Sequence, residues 1–175
     1  MRIKKTNLDG LLIIENDRFD DDRGYLAKLL DEKYFLEHNM PFHFTQVKYT
    51  YTRKKGTIRG LHIQKAPYEE DKIVLCLRGK IFEVALDVRS GSKTYGKWFG
   101  REFSDREKKS FFIPKGFAHG YQSLANDTEV LYLLTGEFSS KHNVGFRWDD
   151  PYFAIKWPQK LAAIASKDRK WPLFK

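Results

Sequence analysis

The chain has 175 residues, of which 41% are hydrophobic and 31% charged, a balance that suits one domain and excludes wholesale disorder. No uncharged apolar stretch approaches the ~20 residues of a membrane-spanning helix, and the basic residues 1–5 lead into polar sequence rather than a signal-peptide core. Cys76 is the single cysteine, which excludes an internal disulfide and a cysteine metal cluster. We expect one cytoplasmic domain over residues 1–175 that binds no membrane.

The charge balance points to an anionic ligand. Lys and Arg number 32 against 23 Asp and Glu, a net charge of +9, which serves nucleic acid, an acidic surface or a small anionic substrate. The basic residues are scattered, with short clusters at 53–55 and 167–170, and no aromatic-plus-basic stacking motif accompanies them. This pattern favours a phosphate-bearing small molecule over nucleic acid.

Alternating apolar and polar residues predict a chain made mainly of short strands. The alternation at 82–88 is typical of a half-buried strand, and 31–38 is predicted as a short helix with Asp31 as its N-cap. A second short helix is predicted at 160–165. Many short strands separated by glycine turns favour a β-sandwich or barrel. The predicted strands cover 10–15, 44–52, 73–77, 82–88, 97–103, 111–113 and 130–138.

The segment 59–64 carries three polar residues among apolar ones. On a regular strand His62 and Gln64 share a face with Gly60, while Arg59 lies on the other face unless a bulge re-aims it. Histidine titrates near neutrality and suits acid–base chemistry. The alternative is a solvent-facing hairpin strand.

Three further positions have a functional and a structural interpretation. His119 stands between Gly116 and Gly120, which suggests a tight turn that brings imidazole to a ligand; it could equally be hydrogen-bonded in a packed loop. Tyr132 lies in an apolar run, where a core tyrosine is the ordinary role. Arg23 precedes a turn glycine, consistent with phosphate binding or with a surface ion pair.

The order and spacing of these motifs resemble the dTDP-4-dehydrorhamnose 3,5-epimerase family over residues 13–173. That resemblance implies a mainly β, cupin-type jelly-roll β-sandwich with a few short helices. The motifs that carry it include Phe19-x-Asp21-x-Arg23-Gly24, Arg59-Gly60-Leu61-His62-x-Gln64, Pro114-x-Gly116-Phe117-Ala118-His119-Gly120, Val130-Leu131-Tyr132, Gly145-Phe146-Arg147-Trp148-x-Asp150-Pro151 and Ser166-Lys167-Asp168.

The resemblance also implies a reaction. A proton next to the C4 ketone of a nucleotide-diphospho-4-keto-6-deoxy sugar is removed and returned on the opposite face, at C3 and C5 or at one of them. His62 is then the base, polarised by Asp168, and Tyr132 is the acid. Lys72 and His119 stabilise the enolate that forms at O4.

The resemblance assigns a set of substrate-binding residues, with the two arginines on the diphosphate. Three positions depart from the family's usual residues: Lys28 replaces a glutamate, Lys48 an asparagine, and Glu137 with Phe138 a pair of tyrosines. A thymidine, guanosine or cytidine carrier and a changed C6 group therefore all remain open, and Lys28 and Glu137 could form a swapped charge pair. The predicted substrate-binding residues are Phe19, Arg23, Lys28, Gln46, Lys48, Arg59 and Glu137.

The resemblance implies a cofactor-free homodimer that forms by strand exchange. No metal is expected, because the chain lacks the His-x-His of metal-binding cupins and a keto substrate supplies its own electron sink. One alternative is a non-catalytic jelly-roll module that binds an anionic sugar nucleotide or nucleic acid. A metal-dependent cupin oxygenase is a third possibility. Incorporation of solvent deuterium into substrate and metal analysis distinguish the three.

Overall fold

A computed structural model describes residues 1–174. Over this range the chain forms thirteen strands and two short helices. The elements are β1 (Arg2–Lys5), β2 (Leu12–Glu15), β3 (Asp17–Asp21), β4 (Gly24–Lys28), α1 (Glu32–Glu37), β5 (Gln46–Thr52), β6 (Ile58–Gln64), β7 (Lys72–Arg78), β8 (Lys80–Asp87), β9 (Trp98–Ser104), β10 (Lys109–Ile113), β11 (Phe117–Ser123), β12 (Thr128–Leu134), β13 (Asn143–Gly145) and α2 (Ser166–Arg169).

Two antiparallel sheets face each other. The first has six strands in the order β1-β2-β10-β7-β12-β5, and the second has five in the order β13-β6-β11-β8-β9. Apolar side chains from both sheets form the core between them, among them Val74 and Phe111 from the first and Ile81 and Tyr121 from the second. The hairpin β3–β4 stands apart as a two-stranded sheet. The predicted mainly-β sandwich is confirmed.

The first helix forms where its capping signal predicts it. The carboxylate of Asp31 accepts a hydrogen bond from the Tyr34 backbone N–H at 3.0 Å, and α1 begins at the next residue. No helix in residues 1–174 is long and apolar enough to cross a membrane.

The predicted helix at 160–165 is wrong. The Ala162 N–H donates to the Gly56 carbonyl at 3.0 Å, and the Ile58 N–H donates to the Ala163 carbonyl at 2.9 Å. The backbone of this segment is therefore bonded to the chain around the start of β6 instead of to itself. A helical turn, α2, forms only afterwards.

The prediction that 82–88 is half-buried is also wrong, because β8 is buried on both faces. Val84 and Leu86 pack under the C-terminal segment around Phe153. The opposite face turns into the sandwich, and Glu83 on that face is only 1% exposed. A carboxylate thus lies inside the protein, where it needs a partner.

β5 turns its polar face inward. Lys48 and Thr50 are half-buried, whereas Val47, Tyr49 and Tyr51 are exposed by 66%, 55% and 44%. β5 is also an edge strand of the six-stranded sheet. The inward polar face borders the space between the two sheets, and the outward face is an exposed apolar surface.

Candidate active site

A cleft of about 250 Å³ opens between the two sheets. It brings together six of the predicted site residues, contributed by five different strands. They are His62 and Arg59 on β6, His119 on β11, Lys48 on β5, Lys72 on β7 and Tyr132 on β12.

His62 forms a close pair with Asp168. Its Nε2 lies 2.6 Å from Asp168 Oδ1, and the Asp168 side chain is only 3% exposed. Burial by itself would raise the pKa of Asp168, but the hydrogen bond and charge of His62 outweigh it, and the pKa lies below its usual value. Asp168 is therefore a carboxylate at neutral pH. It holds the proton on Nε2 and leaves Nδ1 of His62 as the basic nitrogen.

A bulge in β6 places Arg59 on the same side as His62. His119 of β11 pairs with His62 of β6, and Tyr121 of β11 pairs with Arg59 of β6. These two pairs are two residues apart on β11 but three residues apart on β6. The extra residue in β6 reverses the alternation of side chains, as a β-bulge does. The re-aiming that the sequence left conditional therefore occurs.

Glycines allow the two strands to meet at the bulge. A Cβ on Gly60 would lie 2.6 Å from Gly120 Cα, and one on Gly120 would lie 2.7 Å from the Arg59 carbonyl oxygen. Both distances are too short for a side chain at either position. The predicted tight turn around His119 is correct only at Gly116, which has φ +86°, because Gly120 lies within β11.

His119 is buried and hydrogen-bonded to Glu83. Its Nε2 contacts Glu83 Oε2, and the two side chains are 6% and 1% exposed. The buried carboxylate of β8 thus has its partner in an imidazole at the cleft wall. The His119 ring also packs edge-on against Tyr132, with ring centroids 6.0 Å apart.

Tyr132 stands on the wall opposite His62, since β12 and β6 belong to different sheets. Burial raises the pKa of Tyr132 well above its ordinary value. The phenol therefore keeps its proton at neutral pH and is chemically competent to donate it.

Lys72 is buried beside a carboxylate. Its Nζ donates to Glu70 Oε1 at 2.7 Å, and the side chains are 10% and 7% exposed. Burial lowers the pKa of Lys72, while the charge and hydrogen bond of Glu70 oppose that shift. The pair provides a fixed cation in the cleft.

Cations and an aromatic ring line the remaining wall. Arg59 Nε donates to Thr52 Oγ1 at 3.0 Å, a bond from β6 to β5 that ties the two sheets together. Lys48 Nζ lies 4.8 Å from the centre of the Phe138 ring, and the ring is 55% exposed. Gln46 does not line the cleft, because its amide donates to the Gly136 carbonyl.

The other predicted binding residues lie outside the cleft of this chain. Phe19, Arg23 and Lys28 belong to the exposed β3–β4 hairpin, where Arg23 pairs with Asp21 at 2.6 Å. Glu137 is exposed. The Lys28 ammonium pairs with Asp31 at 3.0 Å. The charge pair between Lys28 and Glu137 that the sequence left open is therefore not present within this chain.

Sequence reasoning missed several lining or supporting residues. Glu83 could have been found from the sequence, because it is a carboxylate on a strand in the middle of a sheet. It was missed because that face of the strand was expected to meet solvent. Glu70 had no such signal, because it lies in a polar loop before β7. The residues to which the sequence assigned no role are Thr50, Gln64, Glu70, Glu83, Leu134, Asn143 and Lys167.

A larger cavity of about 870 Å³ lies on the other side of β6, under the C-terminal segment around Phe174. Its lining is mostly apolar and contains no histidine. It therefore lacks the acid–base pair of the cleft. Within residues 1–174 no group of three or more His, Cys, Asp or Glu side chains is placed to hold a metal ion.

The sequence matches the family described as dTDP-4-dehydrorhamnose 3,5-epimerase over residues 5–175. A relative with this name from Methanothermobacter thermautotrophicus is 39% identical over 173 residues, which cover 97% of this chain and 92% of that protein.

Solved structures agree over the whole fold. The enzyme of Bacillus anthracis, determined with TDP and PPi bound, is 34% identical, covers 99% of both chains and superposes with a TM-score of 0.96. The Legionella pneumophila enzyme in complex with dTDP-4-keto-L-rhamnose is 34% identical, with a TM-score of 0.93 and coverage of 98% and 92%. The predicted jelly-roll fold is confirmed. The chain belongs to the dTDP-4-dehydrorhamnose 3,5-epimerase family and is a nucleotide-sugar epimerase.

Proposed function

We propose that the chain inverts both C3 and C5 of a thymidine diphosphate-linked 4-keto-6-deoxyhexose, with His62 as base and Tyr132 as acid. The observation that carries this proposal is the pair of facing groups. An imidazole held by a buried carboxylate stands on one sheet, and a protonated phenol stands on the other. Family membership supports the nucleotide and the sugar class.

Proton removal falls to Nδ1 of His62. The carbon next to a ketone loses its proton more readily than other carbons, because the resulting charge moves to the carbonyl oxygen. Asp168 stabilises the imidazolium that forms, as the carboxylate does in hydrolase triads. Its burial strengthens that interaction.

The enolate oxygen at O4 requires a fixed positive neighbour. Lys72 supplies an ammonium that Glu70 already orients, so little reorganisation is needed when charge develops. His119, held by Glu83, supplies a second polar group from the facing sheet, the one that also carries His62. Tyr132 then returns a proton from the opposite side, which inverts the centre.

The nucleotide end of the substrate is assigned to the basic rim. Arg59, Lys48 and Lys167 line the cleft and suit a diphosphate. Phe138 offers an exposed ring face there, on which a base can stack.

Solvent deuterium tests the proposed reaction. The protein in D₂O is given the thymidine diphosphate 4-keto sugar, and the product is followed by proton NMR. Deuterium at both C3 and C5, with inversion at both centres, supports the proposal. Incorporation at C3 alone would mean a single-centre epimerase, and no incorporation would contradict both forms.

We also propose that the active unit is a homodimer in which the β3–β4 hairpin completes the partner's cleft. Two exposed surfaces support it: the apolar outer face of the edge strand β5 and the hairpin itself, where Phe19 and Leu26 are 57% and 64% exposed. The proposed roles of Phe19, Arg23 and Lys28 require such a partner.

Mixing two inactive variants tests the dimer. Arg23→Ala and His62→Ala proteins are unfolded together and refolded. In a mixed dimer one cleft then has both His62 and an intact hairpin, so activity recovers to about a quarter of wild type in a statistical mixture. A mixture that stays as inactive as its components would show that each cleft uses its own hairpin or none.

A further inference from the structure

Two buried polar side chains in the cleft have atoms without a hydrogen-bond partner within residues 1–174. Gln64 is 2% exposed, and neither its Nε2 nor its Oε1 has a hydrogen-bond partner there. Glu70 bonds Lys72 through Oε1, while its Oε2 is equally buried and unpartnered. Both residues line the cleft that contains His62.

A second buried glutamine shows how unusual this is. Gln122 lies on the adjacent strand β11 and is 0% exposed, yet its Nε2 donates to the Gln159 carbonyl and its Oε1 accepts from the Gln159 N–H, both at 2.9 Å. Buried polar groups are nearly always satisfied in this way, because an unsatisfied one destabilises the fold. The unsatisfied amide of Gln64 therefore destabilises the fold, and it lies at the wall of the cleft.

The free atoms select a particular chemical group. The Gln64 amide offers both a donor and an acceptor, and Glu70 Oε2 offers an acceptor that carries negative charge. A fully ionised phosphate has only acceptors and offers Glu70 Oε2 no donor, and a methyl group satisfies neither residue. A hydroxyl is uncharged, donates and accepts, and so meets both requirements.

We propose that Gln64 and Glu70 form a hydroxyl subsite that binds a ring hydroxyl of the hexose and sets the sugar's orientation beside Lys72. The inference rests on the proposed function, since it takes a 4-keto hexose as the substrate. A 4-keto-6-deoxyhexose has ring hydroxyls at C2 and C3 only, so one of these is the one bound.

The test compares the substrate with its 2-deoxy and 3-deoxy analogues, by the rate of deuterium exchange at C5, a centre that all three share. In the wild-type protein, the ratio of the exchange rate with the substrate to the rate with one of the analogues is about ten or more, because that analogue leaves the subsite unpaired. Gln64→Met brings this ratio close to one. Glu70→Gln, which keeps the shape of the side chain, reduces it as well and serves if Gln64→Met folds poorly. Gln122→Met is the matched control and keeps the wild-type ratio.

Thermal stability gives a second readout. Gln64→Met removes an unsatisfied buried amide and raises Tm, whereas Gln122→Met breaks two bonds and lowers it. Variants at Gln64 and Glu70 that keep the wild-type discrimination would overturn the subsite, as would a fall in Tm for Gln64→Met like that of Gln122→Met. A wild-type protein that exchanges no deuterium into any 4-keto sugar nucleotide would instead overturn the proposed function.

Discussion

At the scale of single residues, the proposed chemistry depends on which atoms of each side chain are hydrogen-bonded to other residues and which are left for the substrate. Asp168 occupies Nε2 of His62 and so leaves Nδ1 for the substrate. Glu70 occupies one donor of the Lys72 ammonium and leaves the others. In the proposed mechanism, Asp168 and Glu70 act through these hydrogen bonds and need not touch the reacting carbon.

Loss of the base should be more severe than loss of the group that holds it. His62→Ala should lower the exchange rate at both carbons by about 10³-fold or more, since a positioned base contributes 10²–10⁴. Asp168→Asn should lower the exchange rate by a smaller factor, because the imidazole remains but is held and stabilised less well. Exchange rates in D₂O measure both. His43→Ala, an exposed histidine outside the cleft, is the control. An Asp168→Asn rate equal to wild type would remove Asp168 from the mechanism.

Glu70 should set the alkaline limit of activity through Lys72. Burial lowers the pKa of Lys72 from its ordinary value near 10.5, and Glu70 raises it again. Glu70→Gln therefore moves the alkaline fall of kcat/KM to lower pH, because the ammonium loses its proton sooner. The raised pKa of Tyr132 keeps the phenol from setting this limit. Exposed Glu69→Gln should leave the profile unchanged. An unmoved profile in Glu70→Gln would show that the reaction does not need the Lys72 cation.

At the scale of elements, strands and turns deliver these atoms through local irregularities. The bulge in β6 turns Arg59 toward the cleft. The loop after β8 is held by Asp87, which is fully buried and accepts hydrogen bonds from Arg89, Ser92 and Thr94. That loop joins two strands of the five-stranded sheet, β8 and β9.

The Asp87 loop should make stability depend on acid. Burial by itself would raise the pKa of Asp87, but bonds from Arg89, Ser92 and Thr94 outweigh it and hold it far below its usual value. The unfolded carboxyl titrates near 3.9, so this stabilisation is complete above about pH 4 and is lost as the pH falls below that.

Asp87→Asn should lower the free energy of unfolding by about 3 kcal/mol at neutral pH, since it leaves a partly buried arginine without its charge partner. The difference from wild type should shrink below about pH 4, as the wild-type carboxyl takes up its proton. Urea unfolding at several pH values measures this. Asp149→Asn, which breaks an exposed pair with Arg147, should cost little. A constant Asp87→Asn difference down to pH 2 would contradict the account.

The features that could be predicted from the sequence are those whose interactions join residues close together in the chain. Asp31 caps α1 through a bond three residues away, so its signal is local and was read correctly. The segment 160–165 bonds to the chain around Gly56, about a hundred positions earlier, and no local pattern reveals that. The same holds for Glu83, which turns into the sandwich while the distant C-terminal segment covers the opposite face of β8. The roles proposed for His62 and Tyr132 came from motif resemblance, because alternation alone left a solvent-facing strand open for His62 and made a core tyrosine the default for Tyr132.

At the scale of the whole molecule, the sandwich itself creates the reaction geometry. One sheet provides His62 and the other provides Tyr132, so the cleft between them has the proposed base on one wall and the proposed acid on the other. Inversion requires that the proton leave and return on different faces of the sugar. Two sheets that face each other across a bound ring meet that requirement, and a site on a single sheet would not.

The most direct test of this two-walled mechanism is Tyr132→Phe in D₂O with the 4-keto sugar nucleotide. Removal of one hydroxyl changes the packed volume little, so the fold should persist. His62 still takes the proton and Lys72 still stabilises the enolate, but the donor on the opposite face is lost. We expect deuterium at C3 and C5 with little or no epimerised product. Normal epimerisation by the variant would make Tyr132 a core residue, and absence of all exchange would place its action before proton removal; either result would contradict the assigned role.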